Sequence, residues 1–85
     1  MYRYFVADTN VKHLRMTLRD EDGRLHVAST AYAVPSIGDE LTGDYPGFGP
    51  RALMGPTGET LRVDFNLVNC GQRAALEHLH GCLMP

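Results

Sequence analysis

The stretch that decides the predicted fold runs from His13 to Ala33 and reads HLRMTLRDEDGRLHVASTAYA. Polar and apolar residues alternate on both sides of Asp22-Gly23, a pattern typical of two antiparallel strands joined by a tight turn. If Asp22 and Gly23 alone form the loop, the register places Leu18 opposite Val27. The sequence therefore predicts a hairpin over residues 11–34.

This register gives the hairpin two chemically different faces. The face that we expect to be in the core is apolar and consists of Leu14, Met16, Leu18, Leu25, Val27, Ala31 and Ala33. The face that we expect in solvent consists of His13, Arg15, Thr17, Arg19, His26, Thr30 and Tyr32. The second face contains a basic stripe with one aromatic ring, formed by His13, Arg15, Arg19, His26 and Tyr32. Surfaces of this kind bind single-stranded nucleic acid.

Strand patterns also occur on both sides of this hairpin. Tyr2–Ala7 is rich in strand-forming residues and is followed by a turn at residues 8–10. Val34–Leu41 contains a proline and a glycine, which predicts the end of the third strand. Residues 51–54 and 59–68 predict a second hairpin, whose returning strand alternates through Leu61, Val63, Phe65 and Leu67.

The apolar period changes from two to about 3.6 residues near Asn69, which predicts a C-terminal helix. Asn69 can cap its start, with Gln72 at the third helical position, and Gly81 suits the position after its end. Its apolar stripe consists of Ala75, Leu76, Leu79 and Leu83. We therefore expect an α+β fold, in which a small antiparallel sheet of four to five strands packs its apolar face against this helix.

Length and composition restrict the class of protein. The 85 residues fit one compact domain spanning 1–85, and a hydrophobic content of 44% is ordinary for a globular chain. The net charge of -2 is unfavourable for a general nucleic-acid coat. The N-terminus MYRYFVADTN lacks the pattern of a secretion signal, and no apolar run is long enough to span a membrane. We expect a cytoplasmic protein that makes no membrane contact.

Two cysteines and two histidines near the C-terminus suggest zinc, but their spacing does not. On a helix, Cys70, His78, His80 and Cys82 point in different directions, so we expect no metal and no cofactor. A half-site of His78 and Cys82 completed by His13 or His26 is the remaining alternative. A Cys70–Cys82 disulfide would have to span about 18 Å of helix, so we expect Cys70 to be a small buried residue.

The sequence contains no convincing catalytic motif. Ser29 and Ser36 are not in a nucleophile-elbow sequence, and the run Gly47–Pro50 lacks the remainder of a dinucleotide-binding loop. The acidic residues of segment 39–44 do not have the spacing of a calcium loop. We therefore expect a protein that is not an enzyme.

The segment from about 43 to 58 is irregular, with five glycines and three prolines. It carries Tyr45, Phe48 and Met54, residue types that are common at protein interfaces. These side chains either bind a partner protein or fold back over the open end of the sheet. We expect a small protein-binding module, such as an inhibitor, adaptor or accessory protein, acting through this loop or an exposed sheet edge. The alternative function is nucleic-acid binding by the basic stripe. The sequence does not specify the partner or the oligomeric state.

Overall fold

The computed structural model describes residues 1–80. It contains six strands, which are β1 (Tyr2–Asn10), β2 (Arg15–Asp20), β3 (Leu25–Thr30), β4 (Glu40–Gly43), β5 (Gly49–Met54) and β6 (Thr60–Cys70). A short 3-10 turn (Val11–His13) connects β1 to β2, and helix α1 (Gln72–His80) follows β6. Helix α1 has nine residues, and no helix within residues 1–80 is long and apolar enough to cross a membrane.

The six strands form a closed antiparallel barrel in the order β1-β2-β3-β6-β5-β4. Strand β4 returns to pair with β1, so the first four strands have Greek-key connectivity. The prediction of an open sheet of four to five strands, with its apolar face against the helix, is therefore wrong. The apolar face of the sheet is the barrel interior, and α1 lies outside it.

Closure depends on β4, which the sequence pattern does not reveal. Leu41 lies opposite Tyr4 of β1, while Thr42 lies opposite Met54 of β5. A four-residue strand is too short to show alternation, and the preceding proline and glycine indicated only that a strand ends there. Gly43 permits the close approach of β4 and β5, because a side chain at this position would collide with the Ala52 carbonyl oxygen.

The barrel interior is a continuous apolar core. Its buried residues are Tyr4, Val6, Met16, Leu18, Ala28, Leu41, Leu53, Val63 and Phe65. The alternation predicted for β6 is confirmed from Leu61 to Phe65. The pairing of β3 with β6 then shifts between Phe65 and Leu67, and Val68 is the next β6 residue packed against the core. This irregularity explains why Leu67 departs from the predicted face.

The register predicted for the first hairpin is wrong by one residue. Leu18 lies opposite His26, because the loop contains the three residues Glu21–Gly23 rather than two. Gly23 has a φ of 85°, and the Asp20 amide donates to the Arg24 carbonyl across the loop. A slip of one residue reverses the two faces of β3. His26, predicted to be in solvent, is therefore inside the barrel, and Val27 lies on its outer face.

Helix α1 covers this outer face. Its contacts are mainly with β2 and β3, where Thr17 and Val27 form a buried pair outside the barrel. Ala75 and Leu79 of the predicted stripe are buried, whereas Leu76 is half-exposed. Asn69 does not cap the helix, because β6 continues through Cys70 and α1 begins at Gln72. The predicted roles of Gly81, Cys82 and Leu83 fall outside the described residues.

Candidate functional site

The β4–β5 connection, residues 44–48, is a loop with exposed aromatic side chains. Tyr45 is 74% exposed and Phe48 is 67% exposed. The start of the loop is fixed by the barrel, since the buried Tyr4 hydroxyl donates to the Asp44 carbonyl oxygen at 2.7 Å. The Ala52 amide donates to the Asp44 carboxylate at 3.2 Å. The loop therefore holds its aromatic side chains in solvent from a fixed base, and they do not fold back over the core.

Two other elements meet the loop at the same end of the barrel. The Tyr2 ring, at the start of β1, lies 5.0 Å from the Tyr45 ring with an interplanar angle of 55°. The Tyr2 hydroxyl donates to the carboxylate of Asp22 at the tip of the β2–β3 hairpin. We call Tyr2, Tyr45 and Phe48 the loop surface. Sequence reasoning did not identify Tyr2, because only the barrel topology places it beside residue 45.

Met54, the third residue predicted for partner binding, lies at the far end of β5. It is 41% exposed and borders a shallow depression of about 240 Å³. The depression extends along β4 and β5 past Gly43 and Ala52 to Asp44, the residue before Tyr45. Met54 is therefore separated from the loop aromatics, although one continuous depression leads from it to the base of the loop.

The predicted basic stripe is not assembled as one surface. His26 is fully buried, and the Arg15 guanidinium donates to the His78 carbonyl oxygen of α1 at 2.7 Å. Tyr32 is 92% exposed on the β3–β4 connection, outside the hairpin strands. His13 lies in the 3-10 turn, and its Nδ1 atom is 3.0 Å from the Asn10 amide nitrogen. Arg19 remains exposed on β2.

Asp20 and His26 form a buried pair that the sequence analysis missed. Their side chains are 0% and 1% exposed, and Asp20 Oδ2 lies 2.8 Å from His26 Nε2. The Asn69 amide donates to His26 Nδ1 at 2.9 Å, so Nδ1 is unprotonated and Nε2 donates to Asp20. The other Asp20 oxygen accepts from the Asp22 and Arg24 amides. The imidazole is therefore neutral and links the hairpin tip to the end of β6.

This pair is suited to a structural role. Both imidazole nitrogens are occupied, and burial separates them from any substrate. Burial by itself would raise the pKa of Asp20, but hydrogen bonds from His26, Arg24 and Asp22 outweigh it and lower that pKa. The available sequence signal was the alternation Met16, Leu18, Asp20, which places Asp20 in phase with the core.

The cysteines and histidines near the C-terminus were the residues considered as metal ligands. No three His, Cys, Asp or Glu side chains converge to hold a metal ion within residues 1–80. The half-site alternative depends on Cys82, which lies beyond the described part of the chain. Cys70 is half-buried, its Sγ donates to the Leu25 carbonyl oxygen at 3.4 Å, and burial raises the pKa of its thiol.

Comparison of the chain with family models, curated proteins and solved structures found no match.

Proposed function

We propose that this chain is a small protein-binding module without enzymatic activity, acting as an inhibitor, adaptor or accessory protein through its loop surface. The observation that carries the proposal is the exposure of Tyr45 and Phe48 on a loop whose base is fixed by Tyr4 and Ala52. Aromatic side chains supply much of the binding energy at protein interfaces. A loop whose base is already held in place loses less conformational entropy when it binds.

Barrel closure favours the loop over the sheet edge as the binding site. Each of the six strands has a neighbour on both sides, although β4 pairs with β5 only at Thr42–Met54 and Gly43–Leu53, so no described strand offers a full-length open edge for an added partner strand. The depression beside Met54 provides apolar area next to the loop. A partner that contacts Tyr45 and Phe48 can therefore extend along β4 and β5.

Nucleic-acid binding is the less supported function. Of the five stripe residues, His26 is buried in the barrel and Arg15 is bound to α1. Arg19 and Tyr32 remain exposed, but they lie on different elements, β2 and the β3–β4 connection. Nucleic-acid platforms need cations and stacking rings along one path, which this arrangement does not provide.

The test compares capture of partners from native cells by three forms of the full chain. The loop variant carries Tyr45→Ala and Phe48→Ala, and the control carries Arg19→Ala and Tyr32→Ala, with nuclease-treated and untreated samples. We expect the affinity of the loop variant for the captured protein to fall by more than about tenfold, or about 1.4 kcal/mol. The control should retain the protein. Loss only in the control, abolished by nuclease, would establish the nucleic-acid alternative. Retention by both folded variants would refute a role for the loop surface.

A further inference from the structure

Three exposed carboxylates lie next to the loop surface. Asp22 accepts the Tyr2 hydroxyl, Glu21 accepts the Arg3 amide at 3.0 Å, and Asp44 accepts the Ala52 amide. None of the three forms an ion pair with another residue of the described chain, where the recorded pairs involve Glu40, Asp20 and Glu77. The acidic charge beside the aromatic rings is therefore not neutralised by a direct ion pair within residues 1–80.

The aromatic rings, like the carboxylates, favour the binding of a cation. The faces of tyrosine rings carry negative potential, and the Tyr2 and Tyr45 rings meet at 55° rather than stacking face to face. The hydrogen bond to Asp22, followed by desolvation and the nearby charges of Asp20, Asp22 and Glu21, raises the pKa of Tyr2 to about 12. A negative field at the Tyr2 hydroxyl is consistent with a surface that attracts cations.

Arg51 of β5, which lies beside the loop, does not neutralise these carboxylates by pairing with them. The Arg51 guanidinium donates to the Pro50 carbonyl oxygen at 2.9 Å and lies against Gly47. Arg24, at the end of the hairpin loop, is exposed and forms no ion pair with the described carboxylates. The cations of this chain near the loop surface therefore leave Glu21, Asp22 and Asp44 without a direct ionic partner.

We propose that the loop surface binds an arginine side chain of the partner protein, with its guanidinium on the Tyr2–Tyr45 rings and facing Asp22 and Glu21. A guanidinium is planar, stacks on aromatic faces and forms paired hydrogen bonds with carboxylates. A lysine ammonium is more strongly hydrated and cannot stack in this way. This inference rests on the proposed function, because it specifies the partner group that the same surface receives.

The test uses the peptide acetyl-Gly-Gly-Arg-Gly-Gly-amide, with counterparts in which lysine or the uncharged isostere citrulline replaces the arginine. Each peptide is titrated into the isotope-labelled full chain while the amide resonances of Tyr2, Asp22 and Tyr45 are recorded. We expect saturable shifts with the arginine peptide, with a Kd on the order of millimolar, weaker shifts with lysine and none with citrulline.

Charge-removing variants keep the hydrogen-bond acceptors and therefore the local structure. Glu21→Gln with Asp22→Asn should weaken arginine-peptide binding by about fivefold or more, because the amide oxygens still accept from Arg3 and Tyr2 but carry no charge. Asp64→Asn is the matched control, since Asp64 is an exposed carboxylate on β6 outside this surface. The control variant should bind the peptide as the unaltered chain does.

The outcomes separate this inference from the proposed function. Equal binding of the arginine and citrulline peptides, tighter binding of the lysine peptide, or no saturable binding would overturn the arginine assignment. Partner capture that depends on Tyr45 and Phe48, but is unchanged by Glu21→Gln with Asp22→Asn, would also overturn it while the proposed function remained. Arginine-peptide binding combined with capture that is independent of Tyr45 and Phe48 would support this site and overturn the proposed function.

Discussion

His26 is held in one tautomer by its neighbours. The Asn69 amide donates to Nδ1, and Nε2 donates to a carboxylate that also accepts two backbone amides. The Tyr4 and Phe65 rings lie within 6.1 Å of the imidazole, edge-on or nearly so, and separate the pair from water. Because a buried polar group without a partner is costly, every member of this network depends on the others.

Replacing Asp20 with Asn should destabilise the fold by about 3 kcal/mol, because an amide cannot match all the present donors. If the Asn oxygen accepts from the Asp22 and Arg24 amides, its NH₂ group faces the Nε2–H of His26, and two donors oppose each other. Urea unfolding measures the loss, and nitrogen chemical shifts of His26 report its tautomer. Unchanged stability would mean that the pair does not support the hairpin tip.

The carboxylate of Asp20 should make the stability of the fold depend on pH. The pKa of Asp20 is lowered in the folded state, so the unfolded state takes up the proton first as the pH falls. The contribution of Asp20 to stability is complete above the unfolded pKa of about 3.9 and is lost as the pH falls through the folded pKa. The stability gap between the unaltered chain and Asp20→Asn should therefore shrink below about pH 4, measured by urea unfolding at several pH values. A gap independent of pH in that range would contradict this account.

At the scale of elements, α1 is attached to the barrel by its apolar stripe and by its C-terminal carbonyl groups. Arg15 donates to the His78 carbonyl and Asn10 Nδ2 to the Leu79 carbonyl at 3.0 Å. These two hydrogen bonds connect backbone carbonyls of α1 directly to side chains of β1 and β2. Arg15, predicted to contact nucleic acid, therefore helps to hold α1 against the barrel.

Arg15→Ala should loosen α1 without unfolding the barrel. The loss of one charged hydrogen bond at a partly exposed site should cost about 1 kcal/mol, confined to the helix. Amide hydrogen exchange from Ala75 to Leu79 should accelerate, while exchange at Val63 and Phe65 inside β6 stays unchanged. Exposed Arg62 provides the control, since Arg62→Ala should leave both regions unchanged. Uniform acceleration in Arg15→Ala would show that the helix and barrel open as one unit.

At the scale of the whole molecule, stability depends on β4, the short strand that closes the barrel and contributes a residue to the core. Leu41 is fully buried and is the one β4 residue in the apolar core. Leu41→Ala should cost about 3 kcal/mol by leaving a cavity between β1 and β5, a large share of the stability of a small domain. Thermal unfolding measures the effect, and Ile37→Ala, at a 62% exposed position, serves as the control. Equal melting temperatures for the two variants would contradict a closed barrel.

The sequence by itself determined the features that depend on local chemistry. Alternation of apolar residues predicted β2, β3 and β6, and the glycine-rich turn at 55–58 predicted the β5–β6 hairpin, which is confirmed by Met54 lying opposite Thr60. The helical period predicted the helix that follows β6. The glycine- and proline-rich surroundings of Tyr45 and Phe48 also predicted that these residues bind a partner, and this stays a prediction.

Only the tertiary structure decided which strands pair, which face of β3 is inside and which residues meet at the loop surface. A two-residue and a three-residue turn differ by one position, and Asp20 favours the longer turn through amide contacts that alternation does not encode. Closure through Leu41 and the contact of Tyr2 with Tyr45 join segments about 40 residues apart. Local propensities act over a few residues, whereas such contacts form only when the whole chain buries its apolar surface together.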